Sequence, residues 1–207
     1  MIVTISREYG AAGIAVAQGV ADALGYELLA EELPKTVAAR LGTSADEIAS
    51  RATTSASFTE RVLGGLGAGT AEVATPATPR LPGDFDETMR REIERTIRER
   101  AERGNVVILG RNAAAVLGRR PDLVRVFLTA EREWRLARVM GAFGLERTAA
   151  LAELERVDAA RRRLAKDRYR VAFGDARFYD LVIDTSRFGV EGAIEIVAGA
   201  VRAAERA

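Results

Sequence analysis

The stretch Ile2-Val3-Thr4-Ile5-Ser6-Arg7-Glu8-Tyr9-Gly10-Ala11-Ala12-Gly13, followed by a periodic run from Ile14 to Leu24, decides how this chain is read. Ile2 to Ile5 is a short apolar, β-branched run, the composition of a buried strand. Glycines at 10 and 13 allow a turn; Ile14, Ala17, Val20, Ala21 and Leu24 then recur at three- and four-residue spacing, which predicts a helix stopped by Gly25. Strand, glycine turn and helix in this order let backbone N–H groups converge at a helix N-terminus, where they can cradle an anion such as phosphate. Short glycine turns also join strands to helices without binding anything, so the loop alone leaves phosphate binding open.

Working outward, Tyr26 to Leu29 reads as a second short strand and Glu31 to Leu41 as a helix interrupted early by Pro34, while Ser44 with Glu47 forms a capping-box start for another helix. Thr, Ser, Gly and Pro then dominate, and residues 51–84 read as a flexible insert with no second core. Asp84 to Arg103 is a clear helix, with Asp84 as N-cap and Phe85, Met89, Ile93 and Ile97 spaced four apart. Val106 to Leu109 is a strand buried on both faces, and Leu123 to Leu128 is a similar run broken by Arg125. Helices follow at Glu131 to Met140 and at Thr148 to Arg170, then a strand at Leu181 to Ile183 and a closing helix at Val190 to Ala204. Alternating strands and helices predict an α/β fold: a three-layer, doubly wound parallel sheet of about five strands in one domain over 1–207.

Composition narrows the chemistry. With 48% apolar and 29% charged residues the chain has the balance of a globular protein. No apolar run reaches the roughly 18 residues a membrane span needs, and the N-terminus reads as a strand rather than a leader, so a cytoplasmic protein with no membrane partner is expected. The absence of Cys and His excludes thiol catalysis, a Ser-His triad and the usual zinc sites, so no protein-bound metal centre is expected. Carboxylate, hydroxyl, arginine and backbone chemistry remain. Of the 31 basic residues only Lys35 and Lys166 are lysines, so any catalytic lysine must be one of these two. A formal charge of +1 and few aromatics argue against nucleic acid as a partner.

Ligands of such sheets bind at the carboxyl ends of the strands. Those ends carry Ser6 to Gly13, Gly110-Arg111-Asn112 and Asp184-Thr185-Ser186. Arg111, directly after a buried strand, must sit at the sheet rim, where its fork of donors suits a phosphate or carboxylate; the plain alternative is a surface arginine paired with a neighbouring acid. In the helix at 148–170, Asp158, Arg161 and Arg162 share a face and Arg163, Lys166 and Arg168 spread around the cylinder. Such a run is usually a solvated face, and it gains interest because phosphoryl transfer gathers cations around the migrating group.

These residues carry a family resemblance. Ile-Val-Thr-Ile-Ser-Arg-Glu-Tyr-Gly at 2–10, Val106 to Asn112, Leu123 to Met140, Asp158 to Arg161 and Tyr179 to Ser186 together resemble the bacterial cytidylate kinase-like proteins, relatives of the nucleoside monophosphate kinases in the P-loop class. The resemblance implies a P-loop kinase-like fold, with 51–84 as an acceptor-side insert and 131–175 as a helical lid. It implies ATP with Mg²⁺ as cofactors, small-molecule nucleotides as partners and phosphoryl transfer to CMP as the activity. Ser6, Arg7, Tyr9, Gly10, Ala11, Ala12 and Gly13 become the phosphate-binding loop, and Arg135, Arg138, Arg161 and Arg163 candidates for the lid over ATP. Arg111, Asn112 and Asp158 become acceptor-side residues, Asn112 standing where cytidylate kinases tend to carry an aspartate.

The loop also departs from that pattern. A working P-loop ends Gly-Lys-Ser/Thr, the lysine reaching the β and γ phosphates and the hydroxyl holding Mg²⁺. Here Gly13 stands at the lysine position and the hydroxyl is absent, Ala15 carrying none, and Ala11, Ala12 and Ile14 replace the glycines and arginine common in similar proteins. Two readings follow: a kinase in which Arg7, Arg111 and Arg161 neutralise charge and Mg²⁺ is carried with ATP, or a nucleotide-binding or regulatory pseudokinase.

Overall fold

The computed structural model describes residues 1–30, 37, 39, 40, 42 and 83–206. Strands β1 (Ile2–Arg7), β2 (Glu27–Leu29), β3 (Val106–Leu109), β4 (Leu123–Thr129) and β5 (Leu181–Asp184) form one sheet in the order β2-β3-β1-β4-β5. Every neighbouring pair is parallel, with Ile2 opposite Val106 on one side and Leu123 on the other. Helix α1 (Gly13–Leu24) joins β1 to β2, and α2 (Gly83–Arg103) leads into β3. After β3 come α3 (Ala113–Leu117), then α4 (Arg132–Phe143) and α5 (Arg147–Tyr169) beyond β4, and α6 (Thr185–Ala204) after β5. The α/β parallel sheet expected from the apolar runs is what forms.

The central strands are buried on both faces, which is why they read as continuous apolar runs instead of alternating ones. On one face Val3, Ile5, Val107, Val126 and Leu128 pack with Val16, Ala17 and Val20 of α1 and Val197 and Val201 of α6. On the other, Phe127 packs with Ala114 and Tyr179, its ring 5.1 Å edge-on to Phe173. That side also buries Arg125, which is 4% exposed in mid-strand. The Arg125 Nε and Nη2 donate to Asp180 at 3.1 and 2.7 Å, its backbone N–H donates to the same carboxylate at 2.8 Å, and its guanidinium lies 5.3 Å over Phe178. Burial alone would raise the Asp180 carboxyl, but the bonds from Arg125 outweigh it and hold it below the usual carboxylate range.

Element ends differ from the sequence reading for local reasons. Ile14, expected to face the core, is 42% exposed, because the buried face of α1 runs through Gly13, Val16, Ala17 and Val20 and leaves Ile14 on the solvent side with Ala15 and Gln18. Helix α3 has no sequence signal: it is five residues long and mostly alanine, so no amphipathic period develops. The closing helix begins at Thr185, where Asp184 caps it by accepting from the Ser186 and Arg187 N–H groups, and Gly189 (φ 71°) then breaks it before the long segment expected from Val190.

The chain divides into two compact units, Met1–Ala30 with Ile97–Ala207, and Glu31–Thr96. Within the second, Arg40 donates to the Thr96 hydroxyl at 3.1 Å, which donates to the Glu92 carbonyl at 2.8 Å. The capping box at Ser44, nearly all of the helix expected at 31–41 and the insert at 51–84 up to α2 lie outside the described residues, as does the Asp84 side chain. Among the described residues no helix is long and apolar enough to cross a membrane.

Candidate active site

Because all five strands run the same way, their carboxyl ends share one edge, and β1 lies between β3 and β4, where the strand order reverses. The loop after β1 therefore opens into the crevice where ligands of such sheets bind. Gly10 (φ 80°) and Ala12 (φ 56°) curl it into α1. Ala12 caps that helix without a side-chain hydrogen bond, and no acidic residue occupies the first turn. The N-terminal amides of α1 thus face the crevice with no side chain of their own cap to accept from them.

The loop backbone is held from outside. The Glu8 N–H donates to the Leu128 carbonyl at 2.9 Å, while its carboxylate accepts from the Thr129 hydroxyl at 2.6 Å and the Ala130 N–H at 3.3 Å. The fully buried Thr185 hydroxyl lies 3.2 Å from the Ala11 carbonyl and 3.1 Å from that of Thr129. From α5, the Asp158 carboxylate, 4% exposed, accepts from the Tyr9 N–H at 2.8 Å and from Arg135 Nη1 at 2.6 Å. Arg135 also donates to the carbonyls of Tyr9 at 3.1 Å and Ala130 at 3.2 Å, and its backbone packs so closely on Gly10 that a Cβ there would stand 2.9 Å from the Arg135 carbonyl oxygen. Arg161 Nη1 donates to the Arg7 carbonyl at 3.0 Å, its guanidinium 5.9 Å from the Tyr9 ring. Tyr9 itself is anchored among Leu136, Val139, Leu154 and Val157.

Three residues expected around the nucleotides, Arg135, Asp158 and Arg161, thus grip the loop after β1. Arg138 lies over the Trp134 ring at 4.8 Å, and Arg163 is exposed on α5, about 200° around the helix from Arg161. Thr129 and Thr185, which bond to Glu8 and to the Ala11 carbonyl, carry no sequence signal as partners of the loop. Only the order of the strands brings them there.

On the β3 side, Gly110 (φ 74°), Arg111 (φ 54°) and Asn112 (φ 52°) are three consecutive left-handed residues. For the two that are not glycine this costs about 1–2 kcal/mol each, and such strain concentrates at ligand sites. The turn is fixed by the Gly110 N–H donating to the Ile5 carbonyl at 2.9 Å and by the Ala113 and Ala115 N–H groups returning to Gly110 and Asn112 at 3.0 and 2.8 Å. It projects Arg111 and Asn112 beside the loop. Arg7 crosses between the two segments: a Cβ on Gly13 would stand 2.7 Å from its Cγ, and one on Gly110 would overlap its Nη1. Beneath them Ser6 is buried against Tyr179, whose phenol is pushed up by burial, against the opposing hydrogen bonds of Ser6 and the Gly174 backbone. Neither Ile14 nor Ala15, the residues after Gly13, offers a side-chain oxygen for a cation.

A five-stranded parallel sheet with helices and a glycine-bearing turn after its first strand is a P-loop kinase-like fold. The chain belongs to the cytidylate kinase-like family, whose pattern it matches over residues 2–187. It is 37% identical over 113 residues to the cytidylate kinase of Methanocaldococcus jannaschii, a match covering 53% of this chain and 63% of that one. It is 33% identical over 118 residues to the cytidylate kinase of Methanopyrus kandleri, covering 53% of this chain and 61% of that one. The chain thus spans about three-fifths of the length of these curated relatives. Among solved structures, an uncharacterized protein from Eubacterium ventriosum aligns with a TM-score of 0.70 at 21% identity, covering 98% of each chain. Shikimate kinase from Bacteroides thetaiotaomicron aligns with a TM-score of 0.54 at 14% identity, again covering 98% of each, which speaks to the fold alone.

Proposed function

We propose that this protein is an ATP-dependent nucleoside monophosphate kinase of the cytidylate type, working in the cytoplasm on small-molecule nucleotides. The observation that carries the reading is the meeting, at the mouth of β1, of the phosphate loop with the strained Gly110-Arg111-Asn112 turn, with Arg7 lying between them. In this reading Ser6 to Gly13 receive the ATP phosphates, Arg111 holds the acceptor's phosphate and Asn112 its sugar or base. Arg161, Asp158 and Arg135 fix the loop from behind, and Arg138 and Arg163 belong to the lid of 131–175.

The reaction breaks the bond between the γ-phosphorus and its bridging oxygen, whose electron pair stays on ADP, and forms a bond to an oxygen of the acceptor's phosphate. That phosphate is already ionised near neutral pH, so no side chain has to remove a proton. The protein's contribution is to align the two phosphates and neutralise their charge. Neither Ile14, directly after Gly13, nor Ala15 supplies a hydroxyl to a metal, so Mg²⁺ enters this reading only as part of MgATP.

A second reading is favoured by Gly13 and Ala15 themselves: a nucleotide-binding protein that has lost turnover. Both are tested by titrating the protein with MgATP and with CMP in a calorimeter and following CDP formation by phosphorus NMR, with UMP, AMP and GMP as competing acceptors. Binding of both nucleotides with CDP production supports the kinase. Binding without turnover selects the second reading, and binding of neither overturns both.

A further inference from the structure

We infer that Arg7 supplies the cation that this loop presents to the β and γ phosphates of ATP, taking over from the loop's first position the task of the lysine that P-loops carry at the position of Gly13. The inference rests on the nucleotide-binding reading above and specifies how its site achieves charge neutralisation.

The chain's only lysines are Lys35 and Lys166, so the loop's own sequence, Ser6 to Gly13, contains none. A cation must therefore come from elsewhere, and the geometry points to Arg7. Its aliphatic stem runs through the volume in which a side chain at position 13 would begin, with Cγ, Cδ and Nε at 2.7, 2.9 and 3.2 Å from where a Gly13 Cβ would stand. The guanidinium then lies over Gly110, at the foot of the turn that presents Arg111. Arg7 thus spans from the position where a loop lysine starts toward the acceptor-side turn.

Gly13 supplies the second argument. It is the first residue of α1 and is absent from the positive-φ positions, so its backbone does not demand glycine. A glycine in a helix is disfavoured relative to alanine. The Arg7 stem explains it, because even a methyl group at 13 would collide with that stem. The loop has therefore exchanged a small residue at its first position and a long cation at its end for the reverse arrangement. Arg161 fixes the root of the relocated cation by its 3.0 Å bond to the Arg7 carbonyl. An arginine placed there offers two parallel N–H donors to a phosphate, where lysine offers a point charge.

The experiment is a calorimetric titration with MgATP of the natural protein, Arg7→Gln, Arg7→Lys and the double exchange Arg7→Gly with Gly13→Lys, each with its Tm recorded. The expected result is a loss of affinity of about tenfold or more in Arg7→Gln, a smaller loss in Arg7→Lys, and recovery of most of the affinity in the double exchange. Gly13→Lys alone, whose lysine meets the Arg7 stem, is not expected to improve on the natural protein. If Arg7→Gln keeps its Tm and binds MgATP as tightly as the natural protein, Arg7 is only a packing residue and the inference falls, while the kinase reading stands. If Arg7→Gln does not fold, the double exchange decides: folded and binding supports the relocation, folded and not binding overturns it. If the natural protein itself binds no MgATP, the nucleotide reading fails and takes this inference with it.

Discussion

Tyr9 and Asp158 stand 149 positions apart, yet the Tyr9 N–H donates to the Asp158 carboxylate at 2.8 Å in a buried setting. The other oxygen of that carboxylate accepts from Arg135, whose side chain is 11% exposed, so one acid fixes the loop backbone and balances a buried cation. Helix α5 thereby determines the shape of the loop after β1.

Replacing Asp158 by Ala removes the nearer carboxylate from the buried Arg135 guanidinium, leaving it Glu8 at 3.7 Å, and removes the buried acceptor of the Tyr9 N–H. The expected loss is roughly 3–5 kcal/mol of stability, read from urea unfolding. Asp158→Asn, which keeps one acceptor for Tyr9, should lose less. Equal losses for the two variants would show that the N–H bond contributes nothing beyond the charge.

Arg111 sits in the turn beyond the end of β3, outside the buried core, so Arg111→Ala should still fold. On the proposed function it raises the KM for CMP about 10- to 100-fold, the range for losing a charge-assisted contact, with little change in the KM for MgATP. Steady-state kinetics with each substrate varied in turn checks this, and unchanged CMP kinetics removes Arg111 from the acceptor site.

Gly104 and Gly110 share a left-handed backbone, with φ of 70° and 74°. An added Cβ meets nothing within 4 Å at Gly104, whereas at Gly110 it displaces the Arg7 guanidinium. Alanine at either should destabilise by about 1–2 kcal/mol from the backbone alone. Only Gly110→Ala should also weaken MgATP binding, by several-fold. Comparing the two variants by thermal unfolding and calorimetry separates backbone strain from the position of Arg7; parallel behaviour in both assays would count against a role for that contact.

The Asp180 carboxyl titrates below its unfolded value because Arg125 donates to it, so its stabilising contribution is complete above about pH 4 and fades as pH falls through the lowered value. Asp180→Asn should be less stable than the natural protein by roughly 2 kcal/mol at pH 7, with the gap in Tm closing below about pH 4. A gap that stays constant from pH 7 to pH 3 would mean that the charge on Asp180 is not what Arg125 requires.

Much of this was legible in the amino-acid order, and the reason differs from element to element. Val106 to Leu109 declared a strand because burial on both faces leaves no room for polar alternation. Ser6 to Gly13 and Gly110 to Asn112 could be placed at one edge because parallel strands align their carboxyl ends, a consequence of topology that alternating elements already imply. By contrast Ala113–Leu117 was silent, since one short alanine turn carries no hydrophobic period.

By itself the sequence determined the class of fold, the place of the glycine-bearing loop after the first strand, and a chemistry without cysteine or histidine and with only two lysines. Tertiary structure alone decided what each arginine does. A guanidinium can pair with a carboxylate, stack on a ring or reach a carbonyl with similar energy, so composition and helical spacing could not separate Arg135, bound to Asp158, from Arg138, lying over Trp134. Nor could they place Arg7 over Gly13 and Gly110, because that contact exists only once β3 has paired with β1 and brought position 110 beside position 7.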